Sequence, residues 1–123
     1  MKLLVPDSSV WVEYFADRPK ASAVDPLIAD PARLIVPAVV VYEVYKRIKA
    51  GIGIEAAEAA VGRMLLSPVA DLDSDLAMQA ADLSIASRLA MADAMILSAA
   101  RAYGAELVTL DADFHGVPGV RIL

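Results

Sequence analysis

The chain has 123 residues, no cysteine and a formal net charge of −5, with a sequence pI of about 4.7. That length suits one domain, residues 1–123, able to hide roughly two-thirds of the surface its unfolded chain exposes. The acidic balance counts against an avid, nonspecific nucleic-acid binder, whose footprint is basic. The missing cysteines exclude disulfides, thiol nucleophiles and thiolate metal sites. The hydrophobic fraction of 59% is high, but no run approaches the ~20 apolar residues a membrane helix needs. The surplus reads as a filled core plus a partner surface. Asp7 and Ser8 cut the first apolar run short, so no secretory leader is expected and the cytoplasm is the expected location.

Lys2 to Pro6 is an apolar burst ending in Asp7-Ser8-Ser9, then Val10, Trp11, Tyr14 and Phe15. The pattern is a buried strand, a turn with cap chemistry and a helix. Arg18 to Lys20 is expected to be a loop, and Ala21 to Asp30 a short helix with Pro26 near its start. Leu34 to Val36 reads as a second strand. A helix follows from Val39 to Ala50, apolar at first except for Glu43 and basic at Lys46, Arg47 and Lys49, which suits the negative end of its dipole. Gly51 and Gly53 end it.

Ile54 to Leu66 is an alanine-rich helix, and Ser67-Pro68 opens a strand that ends near Leu72. Ser74 to Arg88 is a further amphipathic helix. Between Leu89 and Phe114, Ala92, Met95, Ile96, Ala99 and Ala100 recur at helical spacing, with Asp93 near the helix start, where a carboxylate can cap free N–H groups. Gly104 supplies the stop, Glu106 to Leu110 forms the next strand, and Val120 to Leu123 a last one. Strands and helices alternate throughout, which predicts an α/β fold of three layers, α/β/α, around a central parallel sheet.

In such sheets ligands sit beyond the carboxyl ends of the strands. Asp7 follows the first strand and Asp111 the fourth, so both can meet there. Each also reads as a turn or capping residue when taken alone, Asp93 as an ordinary helix-start carboxylate, and Asp113 as a loop acid. Glu43 is the most telling. In V-V-V-Y-E-V-Y its charge must reach solvent or find a partner, since burial alone costs too much. Together, Asp7, Glu43, Asp93 and Asp111 form a set of like charges that needs a cation, and hard oxygen ligands select Mg²⁺ or Mn²⁺. Such a site can turn bound water into a nucleophile and steady a phosphodiester under attack. His115 is a lone surface-loop histidine in this reading, and Ser8 and Ser9 are caps or donors behind the site.

With those residues in place, the chain resembles the PIN-domain ribonucleases, and among them the VapC-type toxins of toxin–antitoxin pairs. The matching pieces are V-P-D-S-S-V at Val5 to Val10, Y-E-V at Tyr42 to Val44, A-D-A-M-I at Ala92 to Ile96, and L-V-T-L-D-A-D-F at Leu107 to Phe114. The resemblance implies a doubly wound PIN-like fold and metal-dependent endonuclease activity on RNA. Carried across, Asp7, Glu43, Asp93 and Asp111 fall on the family's acidic positions, and Asp113 on an accessory acid. Ser9 and Thr109 match small hydroxyl positions beside the site. Arg47 departs from the pattern, standing where many relatives carry glycine, and is free to meet RNA phosphate or a partner. The resemblance also implies a homodimer neutralised by a small VapB-like antitoxin, for which Trp11, Tyr14 and Phe15 are either contact residues or core. Two alternatives stay open: a PIN nuclease of RNA processing, and a PIN-like binding module with weak catalysis. A phosphoacceptor signalling domain fits poorly, since Ser8 follows Asp7 and no lysine occurs after Lys49.

Overall fold

Three strands and two shorter ones, all parallel, carry the chain through a computed structural model describing residues 2–123. Strand β1 (Leu4–Pro6) runs beside β4 (Glu106–Thr109), and β4 beside β5 (Val120–Ile122). Strand β2 (Val36–Pro37) pairs with β3 (Val69–Ala70). A parallel bridge between Leu4 and Leu34 joins this pair to β1, and the Ile35 N–H donates to the Leu4 carbonyl at 2.9 Å. Across the sheet the order is therefore β3-β2-β1-β4-β5. The chain works outward from β1 in one direction, then returns to add β4 and β5 on the other side. The reversal makes the C-terminal ends of β1 and β4 the topological switch point, the place where open parallel sheets hold ligands.

Among the described residues, six helices complete the α/β/α arrangement: α1 (Ser8–Phe15), α2 (Ala21–Ile28), α3 (Ala38–Gly51), α4 (Ile54–Met64), α5 (Ser74–Ser87) and α6 (Met91–Ala102). Strands β1 and β2 are buried on both faces, as expected of a parallel sheet covered by helices. One cluster of buried side chains runs through the sheet and helices, with Trp11, Ile28, Ile48, Met64, Leu97 and Phe114 among its largest members. No single helix among the described residues is long and apolar enough to cross a membrane; α5 and α6 approach that composition only as a pair bent by 115°.

The elements follow the sequence reading in order, with differences at their ends. The third strand shrinks from Pro68–Leu72 to two residues, and the second begins at Val36, with Leu34 contributing only its bridge. Pro26 lies well inside α2 rather than near its start. In a helix this short its missing N–H deprives only the Ser22 carbonyl of a partner. Gly51 stays helical, and the break falls at Gly53, whose φ of 147° excludes side-chain-bearing residues. Helix α5 closes through Arg88, which takes the left-handed conformation at φ 55°.

Candidate metal centre

Asp7 sits where β1 gives way to α1, and its surroundings explain its place. Its backbone N–H continues the β1–β4 ladder to the Val108 carbonyl at 3.0 Å. Its side chain caps α1, with Oδ1 accepting from the Val10 N–H at 3.3 Å. The Ser9 hydroxyl donates to Oδ1 and the Thr109 hydroxyl to Oδ2, each at 2.5 Å. Both hydroxyls are themselves held by backbone donors. Ser9 Oγ accepts from the Leu110 N–H at 3.0 Å, and Thr109 Oγ1 from the Asp111 N–H at 2.9 Å. A residue that is only 3% exposed is thus tied through two relays to the end of β4. Burial pushes the Asp7 carboxyl up from its ordinary range, and the hydrogen bonds from Ser9, Thr109 and the helix N-terminus pull it back in part.

Asp111 leaves the end of β4 two residues after Thr109. Its Oδ1 accepts the Asp113 N–H at 2.9 Å and so caps a one-turn 3₁₀ helix over Ala112–Phe114. Phe114 is buried in the core and anchors that turn. The turn brings Asp113 round beside Asp111. Asp93 stands in the first turn of α6, three positions past the N-cap Ala90, but it does not cap that helix; no side chain does. This corrects the capping role expected of it. Its carboxylate instead belongs to a group in which oxygen atoms of Asp93, Asp111 and Asp113 all lie within 4.8 Å of one another. Asp113, the accessory acid of the sequence reading, is a full member of that group.

Asp7 and Glu43 lie outside the 4.8 Å group, but their charges still act on it. The Asp93 carboxyl is pushed up to about 6, first by its partial burial and then by the negative charges of Asp111, Asp7, Glu43 and Asp113 in turn. Glu43 comes from α3, half-buried, and its Oε1 is fully enclosed with no hydrogen-bond partner. A buried carboxylate oxygen left unpaired is costly. A cation among these acids would satisfy it. Five carboxylates from β1, α3, α6 and the loop after β4 therefore face one region with no lysine or arginine bonded to any of them among the described residues. The donor set is all hard oxygen, which fits Mg²⁺ or Mn²⁺ and not a soft metal.

Two open alternatives near the site are each decided in favour of one reading. Ser9 is a donor to Asp7 and not the cap of α1. Trp11 is wholly buried and stacks on Phe15 with ring centroids 5.7 Å apart, so it is core and cannot meet a partner; Tyr14 and Phe15 are only partly covered. His115 is exposed, as expected. Sequence reasoning did not foresee the link from the Leu110 N–H to Ser9, because a backbone donor carries no signature.

The PIN domain family model matches residues 4–120. The chain belongs to the PIN-domain family. Among solved structures, it superposes on a toxin–antitoxin complex from Klebsiella pneumoniae with a TM-score of 0.80 and 24% identity, covering 96% of this chain and 95% of that one. It matches the Mycobacterium tuberculosis toxin VapC20, described as cleaving the sarcin–ricin loop, with a TM-score of 0.80, 21% identity and coverage of 97% and 98%. A DNA-bound VapBC from Salmonella typhimurium gives a TM-score of 0.74 at 21% identity over 100% and 98% of the two chains. At these identities the likeness is one of PIN fold. No curated protein matches the sequence.

Proposed function

We propose that this PIN-domain protein is a Mg²⁺- or Mn²⁺-dependent endoribonuclease, the toxin of a VapC-type toxin–antitoxin pair. The observation that carries the reading is the convergence of Asp93, Asp111 and Asp113 within 4.8 Å, with the Asp93 carboxyl raised to about 6 by its burial and then by the charges of Asp111, Asp7, Glu43 and Asp113. Like charges held this close raise one another's pKa, and a bound cation would offset that repulsion. The toxins among its solved relatives, one named for cleaving the sarcin–ricin loop, support RNA as the substrate class.

In this reading Asp7, Glu43, Asp93 and Asp111 are the catalytic and metal-holding acids, with Asp113 joining them. A bound divalent cation would lower the pKa of a water and offset charge building on a phosphodiester. The chain's own part is orientation. Ser9 and Thr109 hold both oxygens of Asp7 in place. The Asp111 carboxylate is steadied by the turn it caps. The Asp93 carboxyl, raised to about 6, holds its proton closer to neutrality than an ordinary aspartate does, and cation binding is expected to displace it.

The partners in this reading are RNA, a small VapB-like antitoxin and a second copy of the chain. Helix α5 exposes Met78 and Ile85 and α6 exposes Met91, the last two at 80% and 73%. Such side chains suit a protein partner. Induced expression in a bacterial host tests the toxin assignment. The expected result is growth arrest with new RNA 5′ ends, both abolished by Asp93→Asn. Unchanged growth with an intact RNA pool from soluble, folded protein would overturn it.

A further inference from the structure

Helix α3 carries a feature that the carboxylate site does not use. Tyr42, Tyr45, Lys46 and Lys49 recur at intervals of three and four, so they share one face, and with Ala50 they line a shallow groove. Tyr42 is 61% exposed, which is unusual for so large a ring on a helix otherwise well packed. The lysines do not project freely into water. Lys46 Nζ lies over the Tyr42 ring at 5.6 Å from its centroid and reaches the Tyr42 hydroxyl at 3.5 Å, and Lys49 Nζ lies over the Tyr45 ring at 5.3 Å. Each pair is a cation resting on an aromatic face, and neither lysine is engaged by a carboxylate.

The position of this ladder is informative. Glu43, whose Oε1 is enclosed in the acidic region, is the only acid in α3, and Lys46 and Arg47 stand one turn after it. In a chain of net charge −5, this face gathers two cations, Lys46 and Lys49, while Arg47 lines a different groove beside Val12 and Ile52. The two lysines give a polyanion a point of attraction on the same helix that carries Glu43 into the acidic region. Here Tyr42 is exposed and Tyr45 half-buried against the core, and basic groups interleaved with aromatic rings are the elements by which proteins hold single-stranded nucleic acid: phosphates meet the cations, and bases stack on the rings.

We infer that Tyr42, Tyr45, Lys46 and Lys49 form a binding track for single-stranded RNA that leads along α3 to the carboxylate cluster. In the free protein the ammonium groups cover the rings. On binding they move to phosphate, and bases take their places. The inference rests on the endoribonuclease reading for its ligand and adds to it the residues that position the strand.

Fluorescence anisotropy with a labelled uridine oligonucleotide in EDTA tests this, since binding is then read without cleavage. The Tyr42→Ala/Tyr45→Ala variant is expected to bind about tenfold or more weakly at constant salt, the range of stacking losses on such platforms. Lys46→Ala/Lys49→Ala is expected to weaken binding and to flatten the dependence on salt by roughly 0.7 per lost phosphate contact. Tyr42→Phe/Tyr45→Phe should bind as the parent does, because the ring faces remain. Calorimetric Mn²⁺ binding should be unchanged in all of them. Parent-like RNA affinity in both alanine variants would overturn the track while leaving the nuclease reading intact. The same result with a shift in oligomeric state by light scattering would assign the face to protein contact instead. Absence of RNA binding by the parent would overturn the track, while the nuclease reading stands or falls separately on metal-dependent cleavage.

Discussion

Thr109 donates its hydroxyl to Asp7 Oδ2 at 2.5 Å across 102 positions of sequence, and accepts the Asp111 N–H at 2.9 Å with the same oxygen. One fully buried side chain thereby joins the acid after β1 to the acid after β4. Thr109→Val keeps the shape but removes both bonds, stranding a buried carboxylate oxygen and a backbone N–H. The expected cost is about 1–3 kcal/mol, the penalty for a buried polar group left unpaired. Chemical denaturation should show it, and Thr109→Ser should recover most of it. A valine variant as stable as the parent would mean that the relay contributes nothing.

The acidic cluster makes the stability of the metal-free protein depend on pH in an unusual direction. Asp93 titrates at about 6 in the fold against 3.8 as its ordinary value, and Asp7 is also raised. Between those values the folded chain binds more protons than the unfolded one, so stability falls as pH rises through about 6. Thermal melts in EDTA are therefore expected to show a higher Tm just below 6 than above 7. Saturating Mn²⁺ should reverse the trend by binding the ionised cluster, adding about 2.7 kcal/mol at a hundredfold excess over Kd. A Tm in EDTA that climbs steadily with pH would contradict the raised carboxyls.

Asp93→Asn separates stability from function. Removing this charge relieves its repulsion with Asp111, Asp7, Glu43 and Asp113. The variant is expected to melt higher than the parent in EDTA at neutral pH and to lose the stabilisation that Mn²⁺ gives the parent. Differential scanning calorimetry reads both effects. A lower Tm in EDTA, with the metal response kept, would place Asp93 outside the cluster's energetics.

Trp11 is a core residue, wholly buried and stacked on Phe15. Trp11→Ala is expected to cost about 3–5 kcal/mol in urea unfolding, the usual penalty for truncating a large buried aromatic. A loss below about 1 kcal/mol would mean the ring is held less tightly than its burial indicates.

Much of this architecture was legible in the residues themselves. Asp7 and Asp111 could be placed at strand ends because apolar runs stop at them, and the parallel sheet brings such ends together whatever the intervening sequence. Glu43 stood out because a charge within V-V-V-Y-E-V-Y has few places to go. Two other features were hidden. Asp93 occupies a position that suits either a helix cap or a ligand, and only the fold of the loop after β4 decides between them. The closeness of Asp113 to Asp111 depends on a 3₁₀ turn anchored by Phe114, a conformation that D-A-D-F does not announce. Trp11 was ambiguous for another reason, since core and contact aromatics share the same helical spacing. Strands β2 and β3 were expected in their places but with other ends, because period-two patterning cannot fix the bounds of a two-residue strand.

The central claim, that these carboxylates hold a divalent cation for cutting RNA, meets its most direct test in cleavage of a defined RNA by the purified protein. The reactions would contain Mg²⁺, Mn²⁺ or EDTA, with Asp7→Asn run alongside. Cutting that requires the metal, stops in EDTA and is lost in the folded variant is the predicted result. Cutting that persists in EDTA, or that Asp7→Asn performs as well as the parent, would contradict it.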